Sequence, residues 1–297
     1  MTDRLTIALV QANPKVGDLA GNMAKARAWR AKAAEGGADL VVFTELFAVG
    51  YPPEDLVLKP ALQADARAAV EALARETATG PAVLIGTPWV EGGRLYNAMA
   101  LLDGGEVKAV RYKVDLPNYG VFDEKRVFAA GEMPGPVTLR GVRLGVPICE
   151  DVWTPDVVEC LAETGAEIIV VPNGSPFERT KFDRRMDLAV ARVVESGLPF
   201  VYVNQVCGQD ELVFDGGSFV LNADRTLALQ MPTFVEGMEL SHWTRGPSGW
   251  VCAPGAKAVN EEGLAAVYQA MMLGLRDYVN KNRFPGVVLG LSGGIDS

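Results

Sequence analysis

The chain has 297 residues, 49% hydrophobic and 22% charged, which is material for one large core or two smaller ones. A formal net charge of -9 argues against a nucleic-acid binder, which needs a basic stripe to neutralise phosphates. No apolar run approaches about 18 residues and the opening "MTDRLTIALVQANP" lacks a leader pattern, so neither a membrane span nor export is expected.

"LTIALVQAN" reads as a buried strand bounded by Asn-Pro, and "GNMAKARAWRAKAAEGGA" as an alanine-rich helix stopped by Gly36-Gly37. "ADLVVFTEL" is a second strand. A helix is expected over 61–79, then a strand in "PAVLIGTPWV". "LYNAMALLDGGEVKAVRYK" has the pattern of a hairpin turned at Asp103-Gly104-Gly105. Strands follow in "VRLGVPIC", "EIIVVPNGS" and "LPFVYVNQV", with helices in "PDVVECLAETGA" and over 181–196, and two strand runs in "GGSFVLNADRTLALQM". Alternating strands and helices interleaved with hairpins predict an α/β fold with mixed sheets covered by helices. After Met231 the period is lost in Gly- and Pro-rich sequence, so 236–258 is expected to be a linker. A helix capped by Asn260 and a strand, "GVVLGL", running into "SGGIDS" are expected after it.

Cysteines stand at 149, 160, 207 and 252, without CxxC spacing and too sparse for a disulfide framework, which fits a reducing, cytoplasmic setting. The single histidine, His242, excludes a histidine-rich metal site and lies in the expected linker, a poor partner for a cysteine. Cys149, in "GVPICEDVW", ends a strand and precedes a helix start. There it is either a nucleophile whose neighbouring N–H groups serve as an oxyanion hole, or a small buried structural residue. Cys160 and Cys207 read as packing residues.

A nucleophile needs a base. Glu45 is the candidate, because it ends the apolar run "DLVVFTELF", where a lone acid is expensive unless paired or functional. Lys113 follows a strand pattern in "VRYKVDL" and is placed to neutralise Glu45 and face a developing oxyanion.

Glu45 at the end of an early strand, Lys113 before "LPNYGVFDEKRVF", and Cys149 in "CED" resemble, in type and order, the nitrilase superfamily of carbon–nitrogen hydrolases. The resemblance covers about 5–230. It implies a four-layer αββα sandwich with Glu45 as general base, Lys113 as transition-state stabiliser and Cys149 as nucleophile. Glu124 matches the family's second acid; on physical grounds it either orients Lys113 or is an exposed charge. "TELFAVGYPPEDL", "KVDLPNYGVFDEKRVF", "PICEDVW" and "NGSPFERTKFDRR" are similar to the glutaminase domains of bacterial glutamine-dependent NAD synthetases. That likeness implies a pocket for L-glutamine built by Tyr51, Tyr119, Phe122, Glu150, Trp153, Ser175 and Lys181. An acid suits the α-ammonium, a lysine the α-carboxylate, and aromatics the aliphatic stem. Phe122 and Trp153 serve equally as core.

Ser292, Gly293, Gly294, Ile295, Asp296 and Ser297 resemble the pyrophosphate-binding loop of ATP pyrophosphatases, in which glycines let backbone N–H groups cradle phosphate. The expected organisation is therefore a glutaminase domain over 1–235, the linker, and over 259–297 the truncated start of a synthetase domain. No cofactor and no metal are expected for the glutaminase step. ATP, magnesium and deamido-NAD are implied for a full-length enzyme, and homo-oligomers by the family. The alternative is a stand-alone amidase on another ω-amide or carbamoyl substrate, which "SGGIDS" disfavours.

Overall fold

The architecture is that of a computed structural model describing residues 3–294. Its first half runs β1 (Arg4–Gln11), α1 (Leu19–Glu35), β2 (Leu40–Val42), α2 (Pro60–Glu76), β3 (Ala82–Glu91), β4 (Arg94–Asp103), β5 (Glu106–Tyr112) and the single turn α3 (Glu124–Val127). The second runs β6 (Val137–Leu139), β7 (Val142–Gly145), α4 (Asp156–Glu163), β8 (Ile168–Asn173), α5 (Lys181–Ser196) and β9 (Phe200–Asn204). Then come β10 (Val206–Gln209), β11 (Leu212–Asp215), β12 (Phe219–Leu221), β13 (Leu227–Gln230), β14 (Gly237–Gly246), β15 (Gly249–Cys252) and α6 (Gly263–Lys281).

Two mixed sheets result. One has the order β15-β14-β1-β2-β3-β4-β5 and the other β13-β12-β9-β8-β7-β6. Each has three parallel strands at its centre, β1-β2-β3 and β7-β8-β9, flanked by antiparallel ones.

The layering follows from the two-residue period of a strand. Ile7 and Leu9 join Leu84, Ile168 and Val170 in a core between the sheets. Their neighbours Ala8, Val10, Val83 and Ile85 face the other way, onto Met23 and Ala26 of α1 and Val70 and Leu73 of α2. Ile169 and Val171 likewise pack on α4 and α5 through Val157, Leu161, Ala189 and Val193. Strands buried on both faces read as unbroken apolar runs, and helix–sheet–sheet–helix is the αββα sandwich.

The expected linker over 236–258 is instead β14 and β15. Eight residues of β14 pair antiparallel with β1, from Arg4↔Thr244 to Gln11↔Gly237, and β15 extends the sheet. Trp243 and Trp250 point into the inter-sheet core, so this segment completes the sandwich.

The helix after it also differs from expectation. Asn260 accepts from the Thr233 N–H (3.0 Å) and does not cap α6, whose N-cap is Glu262. The inner stripe of α6, Ala266, Ala270 and Leu273, packs against Val206 and Phe234. Asp277 accepts from Asn13 Nδ2 (2.6 Å) and from the Gly208 N–H (2.8 Å). Residues 285–292 form no strand, because no described strand lies beside them to pair with.

Candidate active site

Glu45, Lys113 and Cys149 lie beyond the carboxyl ends of β2, β5 and β7, the end of the strands where α/β folds collect their functional groups. Glu45 lies three residues beyond β2, in a turn seated on Gly86 of β3. A Cβ at Gly86 would lie 2.2 Å from Leu46 N and 2.4 Å from Thr44 O, so the backbone carrying Glu45 needs glycine beneath it. Cys149 follows β7 in a 3-10 turn with φ +47°, and Leu46 has φ +48°. Such left-handed conformations in non-glycine residues cost energy, and they concentrate at functional sites. Lys113 immediately follows β5.

Lys113 is fully buried between two carboxylates. Its Nζ donates to Glu45 Oε1 (2.7 Å) and to Glu124 Oε1 (2.8 Å). A buried ammonium is tolerable only when paired this way. Burial alone would lower its pKa, but the Glu124 and Glu45 charges override that and hold it well above the ordinary value. Glu124 therefore meets the orienting alternative and not the exposed one. Burial raises its carboxyl against the opposing pull of Lys113, and Tyr51 donates its hydroxyl to Glu124 Oε1 (2.8 Å).

Glu45 accepts two further bonds, from Asn97 Nδ2 (2.7 Å) and the Gly174 N–H (2.9 Å). Burial first, and then the Glu45 carboxylate, push the Cys149 thiol well above its usual pKa. Both effects favour the thiol over the thiolate. The Gly174 N–H works the other way on the Cys149 thiol, favouring its ionised form.

Around this centre Tyr119 donates its hydroxyl to both oxygens of Glu150, at 2.9 and 3.0 Å. Its ring meets Phe122 edge-on, and Lys181 Nζ lies 5.7 Å from the Phe122 centroid. Tyr119, Phe122, Glu150 and Lys181 thus form one connected wall. Tyr119 and Glu150 also line an open hollow with Leu116, Pro117, Lys125 and Phe128. Ser175 is buried and already engaged, its Oγ accepting from Arg185 Nε (3.0 Å). Trp153 packs on the helix-side core beneath Arg184, in keeping with its core alternative. The described part of the terminal loop, Ser292 to Gly294, is exposed, and a Cβ at Gly293 would meet nothing. Among the described residues no ATP or magnesium cradle is built; Ile295, Asp296 and Ser297 lie outside them.

Sequence reading missed Asn97, Asp151, Gly174, Arg185 and Asn204. Asn97 bridges Glu45 and, at 3.4 Å, Glu124. Arg185 binds Asp215 (2.8 Å) and the carbonyls of Ser175 and Pro176 (both 2.8 Å), while Asn204 Oδ1 accepts from the Ser175 N–H (3.0 Å). Together they fix the segment that presents the Gly174 N–H. The available signal was a polar residue inside an apolar run, as in "LYNAMALL" and "FVYVNQV".

Gly174 has no room for a side chain. A Cβ would lie 2.6 Å from the Tyr51 ring and 3.1 Å from Glu45 Oε2. Gly174→Ala should fold but lose on the order of 100-fold in kcat/KM, as expected for displacing catalytic groups by about an ångström. Steady-state kinetics on the purified variant would show it; wild-type rates would mean that Gly174 positions nothing.

The Carbon-nitrogen hydrolase family matches residues 6–242, and the chain belongs to that family. The NAD synthase family matches 267–297. The glutamine-dependent NAD(+) synthetase of Rhodobacter capsulatus is 50% identical over the whole chain, which covers 54% of that relative. The Acinetobacter baumannii glutamine-dependent NAD+ synthetase, solved with ADP, superposes with a TM-score of 0.93 at 38% identity, over 99% of this chain and 55% of that one. An amidase from Nesterenkonia sp. AN1, whose active-site cysteine carries a Michael adduct of acrylamide, gives 0.71 at 29% identity, covering 82% and 94%. The chain spans about half the length of the synthetases it matches.

Proposed function

We propose that this chain hydrolyses the side-chain amide of L-glutamine through a Cys149 thioester. The observation that carries this reading is the buried cluster in which Lys113 bridges Glu45 and Glu124, and the charges of Glu45 and Lys113 both act on the buried Cys149 thiol. Glu45 takes the thiol proton as sulfur attacks the carboxamide carbon. Lys113 and a backbone N–H of the Cys149 turn hold the oxyanion. Glu45 returns the proton to the departing nitrogen, and ammonia leaves. Water then gives a proton to Glu45 as it attacks the thioester, and that proton returns to sulfur as glutamate is released.

The wall of Tyr119, Phe122, Glu150 and Lys181 supplies the glutamine pocket. Glu150 receives the α-ammonium, displacing the Tyr119 hydroxyl, and Lys181 receives the α-carboxylate. Tyr51 and Ser175 hold the inner end of the site in shape. Joined to a complete synthase domain, the unit supplies ammonia that amidates deamido-NAD in a reaction driven by ATP with magnesium, a reading that the match to the NAD synthase family over 267–297 supports.

A panel of glutamine, asparagine, simple aliphatic amides and carbamoyl compounds tests the substrate. Glutamine should be preferred by at least about 100-fold in kcat/KM, since simple amides lack the ammonium and carboxylate that would exchange with the Tyr119 and Glu178 partners of Glu150 and Lys181. Faster turnover of simple amides would favour the amidase alternative.

A further inference from the structure

We propose that Asp151 is a positioning residue that fixes the Lys113 ammonium in register with the Cys149 sulfur. This deepens the reading above and rests on it. Asp151 is buried and touches neither partner directly. Its Oδ1 accepts from the N–H groups of Val114 (3.0 Å) and Asp115 (2.7 Å), the two residues after Lys113. Its Oδ2 accepts from the N–H of Ile148 (2.9 Å), the residue before Cys149. One carboxylate therefore staples the exit of β5, in one sheet, to the turn after β7, in the other. A lesser tie runs alongside it, from exposed Thr154 Oγ1 to Asp115 Oδ2 (3.0 Å).

Further along the loop after Lys113, Tyr119 reaches the Cys149 turn through Glu150, but only Asp151 binds the backbone next to both Lys113 and Cys149 among the described residues. Lys113 is otherwise held by its ion pairs to Glu45 and Glu124 and by its backbone: its N–H donates to the Asn97 carbonyl, and its carbonyl accepts from Gly131, both at 2.8 Å. Of these, Glu45 reaches the other sheet at the exit of β8, through the Gly174 N–H, but none of them reaches the Cys149 turn. The oxyanion must form between Lys113 Nζ and the carbon bonded to Cys149, so the distance between them governs the transition state far more than substrate capture. The side-chain contacts of the wall assigned to glutamine, Tyr119 on Glu150 and Lys181 over Phe122, are not made by Asp151.

Asparagine in place of Asp151 keeps the shape, but its amide nitrogen faces an N–H donor at one end of the staple whichever way it is turned. Asp151→Asn should lower the glutaminase kcat of this chain by about 10- to 100-fold while KM for glutamine stays within about twofold. Iodoacetamide labelling of Cys149 should proceed at the wild-type rate, since the nucleophile itself is untouched. A wild-type kcat, or a loss carried by KM, overturns the proposal. Should Asp151→Asn fail to fold, Thr154→Val removes the exposed tie alone. It should cost two- to threefold in kcat with KM unchanged, and no change in kcat would overturn the proposal. Failure here leaves Cys149 as nucleophile, whereas persistent turnover in Cys149→Ala would remove the underlying reading.

Discussion

Cys149→Ala releases no measurable glutamate or ammonia from glutamine, a loss on the order of 10⁶ if the cluster works as a unit. The thiol is held protonated by burial and by Glu45, and every bond-making step of the proposed chemistry passes through its sulfur. The fold should survive, because the substitution removes one atom from a 4% exposed position whose turn is secured by Asp151. Glutamine binding, measured by calorimetry on the inactive variant, should therefore persist. A protonated thiol also makes the base indispensable. Glu45→Gln keeps an oxygen for Lys113 but cannot take a proton, and should cost about 10²–10⁴ in kcat. Mass spectrometry of wild-type protein quenched during turnover should find the glutamyl adduct on Cys149 and find none in either variant. Undiminished glutamate release by Cys149→Ala would end the nucleophile assignment.

The part of this site legible in the sequence was the part that violates apolar patterning. Glu45 interrupts a buried run, Cys149 ends another, and Lys113 follows a third, so each stands out where a strand stops. Their companions are hidden because their roles arise from pairings between strands and between sheets. Asn97 reads as a mid-strand residue until the β4–β5 register sets it beside Lys113. Asp151 reads as a second acid after Cys149 until the two sheets meet. The same physics explains the misread segment over 236–258. "GMELSHWTRG" carries only a partial alternation, with Ser241 and Trp243 inward, and becomes a strand because β1, some 230 residues earlier, offers an unpaired edge. "GVVLGL" is the converse case. Its composition suits a strand, but strand structure belongs to a pair, and the described residues supply it with no partner.

Lys113 carries the other large expectation, because its ammonium serves both stability and chemistry. Lys113→Met keeps the length and removes the charge, leaving Glu45 and Glu124 buried together with only Asn97, Tyr51 and Gly174 as donors. Breaking a buried pair in this way costs about 3–5 kcal/mol of stability. The pKa of Lys113 is raised above its unfolded value, so this stabilisation is fully present below pH ~10.5 and fades only as pH rises through the folded value. Urea unfolding at pH 7 and pH 9 should then show the same deficit. The catalytic loss should be about 10²–10³ in kcat, the usual cost of one oxyanion donor. The two effects separate in the double variant Lys113→Met/Glu124→Gln. Removing the second carboxylate relieves the uncompensated charge and should return much of the stability, while kcat stays low because no cation faces the oxyanion. If stability and turnover recover together, Lys113 serves only to neutralise its two carboxylates.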